Sequence, residues 1–134
     1  MNIERTSAPV DIAVSGLRVQ ALRMNVIATN IANANTTRTA SGQVYRRQDV
    51  QVKTVGGRGG VTVARVVQDQ TGPLKKVLMP GHPDADANGY VAMPNIDLPV
   101  EMMHMVAATR AYEANAAVLK RYQDNVEITL ELLR

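Results

Sequence analysis

The chain contains no cysteine, no phenylalanine and no tryptophan, and its only aromatic side chains besides histidine are Tyr45, Tyr90, Tyr112 and Tyr122. Without cysteine there can be no disulfide, no thiolate metal site and no thiol nucleophile. Bulky aromatics usually dominate core burial, so Val, Ala, Met and Leu must do that work. Such residues suit thin helix–helix seams better than a thick globular core. Histidine is nearly as scarce: His82 and His104 are the only two, and no further His or Cys completes a zinc site. Ser7, Ser15 and Ser41 lack a nucleophile-elbow context. Gly56-Gly57-Arg58-Gly59-Gly60 lacks the Lys-Ser/Thr and helix that follow a phosphate-binding loop. No enzyme, cofactor or metal site is expected. Long apolar runs are missing as well. Arg18, Arg23, Asn25 and Asn30 interrupt the first apolar stretch, so membrane insertion is not expected. Met1–Pro9, with Glu4 and Arg5 and no apolar stretch, is not expected to be a cleaved secretory signal.

What the chain does have is an amphipathic helical pattern at each end. Val10, Val14, Leu17, Ala21, Met24, Ala28 and Ile31 recur at alternating steps of four and three. Met102, Met105, Thr109, Tyr112, Ala116, Leu119, Gln123, Val126, Leu130 and Leu133 form a second such series. A 3.5-residue repeat buries itself against another helix. The first helix is predicted over Ala8 to Ala34, with Ser7 as N-cap, Pro9 in the first turn and Asp11 facing the positive helix end. The second, over Leu98 to Leu133, opens on Asp97, Pro99 and Glu101 by the same logic. Asn33-Ala34-Asn35-Thr36-Thr37 stops the first helix, because Asn and Thr side chains bond nearby backbone and Asn tolerates the left-handed conformation.

Between the helices, Val44–Val55, Val61–Val67 and Leu74–Met79 are strand-like, with the Gly-rich run as a hairpin connection and Gly72-Pro73 as a turn. Three short strands form a small sheet that is marginal alone and leans on the helices. Pro80 to Asn95 is irregular. The expected fold is therefore α+β, with paired long terminal helices forming a coiled-coil-like core and a small β-rich middle. Residues 1–36 and 97–134 build one discontinuous helical domain, and 37–96 the middle segment. Both helices carry further apolar residues off the main stripe (Ile12, Val19, Leu22, Val26 and Ile27 on the first; Met103, Val106 and Val118 on the second), and these faces need partners. Assembly is the implied role, with at least one terminal helix expected to be frayed or disordered alone and to fold when neighbours arrive.

Asp84-Ala85-Asp86-Ala87-Asn88-Gly89 opens like a calcium loop, but Asn95 stands where the bidentate Glu is needed. A turn held by side-chain bonds of Asp and Asn is the expected use. The formal charge is +3, and residues 35–96 hold eight Lys/Arg against four acids. That imbalance admits one alternative, a small basic nucleic-acid-binding module. It lacks interleaved stacking aromatics apart from Tyr45 beside Arg46-Arg47.

Several of these segments resemble one family. Ser15-Gly16-Leu17 and the run Ile27 to Thr37 are similar to the N-terminal signature of bacterial flagellar rod and hook proteins. Gly42 to Gln48 with Tyr45-Arg46-Arg47 fits, as do Gly81 to Val91, Met93-Pro94-Asn95, Glu101-Met102 and Ala108 to Asn115. The likeness spans nearly the whole chain, and His82-Pro83-Asp84-Ala85-Asp86 points to the proximal-rod branch. The short centre and its Gly-Gly-Arg-Gly-Gly loop depart from the pattern.

The resemblance implies a structural subunit of the basal-body rod, stacked helically around a central export channel and transmitting torque. Implied partners are other proximal and distal rod proteins, the rod-base adaptor and further copies of the chain, without nucleic acid. The implied route is the flagellar type III export apparatus, without a cleaved signal, to the periplasm-spanning rod. The assembly seam is expected at Val14, Leu17, Ala21, Met24, Ala28, Ile31, Met105, Tyr112, Ala116, Leu119 and Val126. Asn30, Asn33, Asn35 and Thr36 should end the first helix. His82, Pro83, Asp84, Asp86, Gly89 and Tyr90 should form a structured connector packed on the helices.

Overall fold

The computed structural model describes residues 8–57 and 59–133, so the expected N-cap Ser7 and the basic Arg58 lie outside it. Helix α1 covers Ala8–Ala32 and helix α2 Leu98–Leu132. At about 1.5 Å per residue α2 is about 50 Å long. Its start follows the capping logic: the Asp97 side chain accepts from the Val100 N–H at 3.3 Å, with Pro99 in the first turn. Helix α1 ends two residues before Ala34, where the Asn33 carbonyl accepts from the Thr36 N–H (3.0 Å) and its Oδ1 from the Thr36 hydroxyl (3.1 Å). Among the described residues no non-glycine has positive φ, so Asn stops the helix through bonds and not through a left-handed turn.

The helices pack antiparallel. Asn30 lies level with Glu101, Met24 with Thr109 and Gly16 with Asn115. A Cβ on Gly16 would stand 2.8 Å from Asn115 Nδ2, so glycine is what permits this approach. Another side of α1 packs on strands β1 (Gln48–Thr54) and β2 (Val61–Gln68), an antiparallel hairpin with a bulge between Gln51 and Val52. The Gly-rich turn closes through Val55 N–H to the Gly60 carbonyl (3.0 Å), with Gly57, Gly59 and Gly60 at positive φ. It folds back onto α1, where the Ser15 hydroxyl accepts from the Val61 N–H at 3.1 Å.

The middle segment corrects the expected three-stranded sheet. It holds two separate two-stranded ribbons, β1–β2 and a second made of β3 (Lys75–Leu78) and β4 (Tyr90–Met93). Strand β4 lies inside the stretch expected to be irregular. The Asp69 turn separates the ribbons: its Oδ1 takes the Thr71 N–H and hydroxyl and the Gly72 N–H. Strand β1 begins at Gln48, not Val44, because residues 45–47 hydrogen-bond to the chain around Thr36, Asp69 and Asn95 instead of to a ladder. The core is thin, as the composition requires: Ala13, Val19, Val26 and Ile27 of α1, Val50 of β1, Ala108 of α2, with Tyr45, Val91 and Ile96.

Candidate functional site

The most buried side chains of the molecule include two polar ones, Asn30 and Glu101. Burying a polar group costs several kcal/mol unless it is fully paired, and this pair is. Asn30 Nδ2 donates to the Gln48 carbonyl (2.8 Å) and to Glu101 Oε2 (3.1 Å). Its Oδ1 accepts from the Tyr45 hydroxyl (3.0 Å) and from the Gln48 N–H (2.9 Å). An amide offers two donations and two broad acceptances, so Asn30 is saturated. Glu101 Oε1 accepts from Arg47 Nε at 2.6 Å, and the His104 ring lies 3.7 Å away. The Arg47 N–H donates to Asn95 Oδ1, and Arg46 donates to the carbonyls of Asp69 and Gly72. One knot therefore ties the end of α1, the approach to β1, the Asp69 turn and the first turn of α2. Burial and the Glu101 charge both push the Tyr45 phenol above its ordinary value.

The connector has its own anchors. Asp84 accepts the Thr37 hydroxyl (2.8 Å) and pairs with Arg38. The Thr37 bond first, and then Arg38, hold its carboxyl below the usual range. Asp86 Oδ1 takes the Asn88 and Tyr90 N–H groups, and His82 Nδ1 accepts the Asp84 N–H. The segment is thus the side-chain-bonded turn expected of it. Its polar anchors are on the loop after α1, at Thr37 and Arg38, and not on the helices. Among the described residues no cluster of three metal-ligating side chains occurs, and no helix is long and apolar enough to cross a membrane.

The predicted seam residues are distributed differently from the core. Val14, Leu17, Ala21, Met24 and Ile31 are half-buried and Ala28 is exposed. Met105, Ala116 and Leu119 are half-buried, whereas Tyr112 and Val126 are exposed. The positions α1 buries most deeply inside the molecule are Ala13, Val19, Val26, Ile27 and Asn30, off the heptad stripe. A second open face lies on α2, where Met102, Met103 and Val106 are 58%, 70% and 52% exposed.

The model for flagella basal body rod proteins matches residues 11–38, and that for the C-terminal part of the flagellar basal body rod FlgEFG proteins matches residues 87–132. The chain is 46% identical to the flagellar basal-body rod protein FlgC of Salmonella typhimurium over 91% of its length and 93% of the relative's. It is 37% identical to FlgC of Borreliella burgdorferi over 93% and 95%, and 33% identical to FlgC of Bacillus subtilis over 92% and 95%. The chain belongs to the FlgC family of flagellar basal-body rod proteins.

Within this FlgC-family chain the two matched segments pack along each other, and a buried polar bond joins them where Asn30 of the first donates to Glu101 of the second. The Asn30 end of the first matched segment is thus a joint between the helices. Asn33 and Thr36 end α1, while Asn30 is part of the joint and Asn35 is exposed. A rod subunit is a structural protein, and the nucleic-acid alternative loses its physical basis. Arg38, Arg46 and Arg47, part of the basic excess that suggested it, are bound to Asp84, backbone carbonyls and Glu101. Sequence reasoning assigned Glu101 only a dipole role. Its ion pair with Arg47 spans 54 positions, and no local periodicity signals such a contact.

Proposed function

We propose that the chain is a proximal-rod subunit whose discontinuous helical core, residues 1–36 with 97–134, stacks with other axial proteins around an export channel and carries torque. Residues 37–96 face outward from that core. The observation that carries this reading is the α1 stripe from Val10 to Ile31. It has the spacing of a helix-burying seam, yet deeper burial within the molecule goes to other residues of α1. A seam left half-open, beside the bare methionine face of α2, is a surface prepared for neighbouring helices. Non-closing contacts between unlike surfaces generate a helical assembly.

In this reading the partners are further copies of the chain, proximal and distal rod proteins and the rod-base adaptor. The chain reaches the periplasm-spanning rod unfolded through the type III apparatus, without signal cleavage, and it has no catalytic role. The test is Leu17→Asp. Leu17 is half-buried on the stripe, so the variant should fold yet arrest assembly at the rod stage and abolish motility. Normal rods in that variant would refute the seam. Circular dichroism with sedimentation, with and without rod partners, should show helicity rising on co-assembly.

A further inference from the structure

Two surfaces of this chain complement each other and cannot meet within one molecule. The first is the end of α2. Continued at the register set by Asn30 with Glu101 and Gly16 with Asn115, Ala8 stands level with Gln123. Beyond it Val126 and Leu130 are exposed, in line with half-buried Tyr122. Asp124, Glu127 and Glu131, spaced three and four apart, share a neighbouring face. Among the described residues no basic side chain occupies the last turn of α2. Carboxylates there oppose the helix dipole, which favours cations at that end, so the sequence carries a negative charge that α2 itself disfavours.

The second surface is a cleft of about 290 Å³ between the helices, lined by Gln20, Arg23, Arg47, His104, Ala107 and Ala111 among others. Arg47 is committed to Glu101, with Asp49 3.9 Å from its other arm. Arg23 has no ion pair or side-chain hydrogen bond among the described residues, and Gln20 Oε1 is buried without a partner. Native interiors rarely leave such an atom unsatisfied. The alanines on one wall leave room for inserted side chains, and the volume suits side chains, not a whole helix.

Resting on the rod-subunit reading, we propose that this cleft receives the acidic end of α2 from a second copy of the chain. The Glu127 carboxylate accepts from Arg23, the Tyr122 hydroxyl supplies the donor that Gln20 Oε1 lacks, and Val126 and Leu130 cover the alanine wall. Donor and receptor surfaces differ, so the contact is head-to-tail and repeats from copy to copy. It also offsets part of the mutual repulsion of subunits that each carry a formal charge of +3.

The absence of cysteine makes disulfide trapping unambiguous. In cells whose own rod protein is replaced by this chain, Ala107→Cys combined with Glu127→Cys should give, on mild oxidation, multimers of this chain alone. Neither single variant should do so. On one chain the two positions are about 30 Å apart along α2, so a disulfide can form only between copies. In otherwise native chains, Arg23→Glu and Glu127→Arg should each cut swimming several-fold, and the two together should restore it. No multimers in cells that still build rods, a disulfide adduct between the Glu127→Cys variant and a different protein, or a charge swap that fails to rescue would each overturn the contact while leaving the rod-subunit reading standing. Absence of the chain from isolated basal bodies would overturn that reading itself.

Discussion

Replacing Asn30 with aspartate exchanges an –NH2 for an oxygen at the most crowded polar point of the molecule. The two groups that Asn30 Nδ2 serves, the Gln48 carbonyl at 2.8 Å and Glu101 Oε2 at 3.1 Å, are both acceptors. Two carboxylates ~3 Å apart repel by about 5 kcal/mol at an effective dielectric near 20. The pair escapes by binding one proton. At pH 7 that costs about 4 kcal/mol for a carboxyl of ordinary pKa near 4, at ~1.4 kcal/mol per pH unit. The proton restores one of the two donations, so Asn30→Asp should destabilise by about 4 kcal/mol at pH 7, out of a domain's usual 5–15.

The sign follows from linkage. The folded pair has a raised pKa, so the deficit shrinks as pH falls, by about 1.4 kcal/mol per unit between pH 7 and 5. Asn30→Ala instead strands the Tyr45 hydroxyl, both Gln48 backbone groups and one Glu101 oxygen. After partial hydration of the gap it should cost about 3–5 kcal/mol with little pH dependence. Urea unfolding followed by far-ultraviolet circular dichroism at pH 5, 6 and 7 separates the two. An aspartate variant as stable as the parent at pH 7, or one whose deficit ignores pH, would refute the joint as described.

Arg47→Ala leaves the buried Glu101 carboxylate without its 2.6 Å donor and should cost about 3–5 kcal/mol; Arg47→Lys should recover only part, because the ammonium cannot reproduce the guanidinium geometry. Unfolding midpoints of the two variants decide it. Gly16→Val drives a side chain into Asn115 and should destabilise by about 1–3 kcal/mol, with Asn115→Ala relieving much of the loss in the double variant. The connector should loosen in acid. A carboxyl with depressed pKa contributes stability above its unfolded value near 3.9, and that contribution disappears as pH falls through the lower folded value. Thr37→Val should raise the Asp84 titration midpoint followed by NMR, and an unmoved midpoint would count against the tether.

The legible parts of this molecule are those written in local chemistry. Asp97-Leu98-Pro99 announces the start of α2 because a cap acts within three residues, and Asn33 with Thr36 stops α1 for the same reason. The Gly-rich hairpin is visible because its positive-φ residues are glycines. The fourth strand was hidden because Tyr90–Met93 is only four residues and follows a loop rich in Pro, Gly and Asp. The heptad stripe of α1 was visible as a pattern, but a period does not say whether its partner is inside the chain. The joint was least legible. Asn30, Tyr45, Arg47 and Glu101 stood out through family likeness, yet their mutual contacts cross separations of 15 to 71 positions. Only the packed backbone brings them together.

The Asn30–Glu101 bond closes a loop of 71 positions, and this sets an order of events. Until residue 101 is available, Asn30 has no acceptor for one of its donations, and the open side of α1 has no helix to lie on. Because long loops must close before such contacts stabilise anything, a chain that emerges N-terminus first stays unlatched through most of its length. Its last quarter then acts as a key, and both ends set together or not at all.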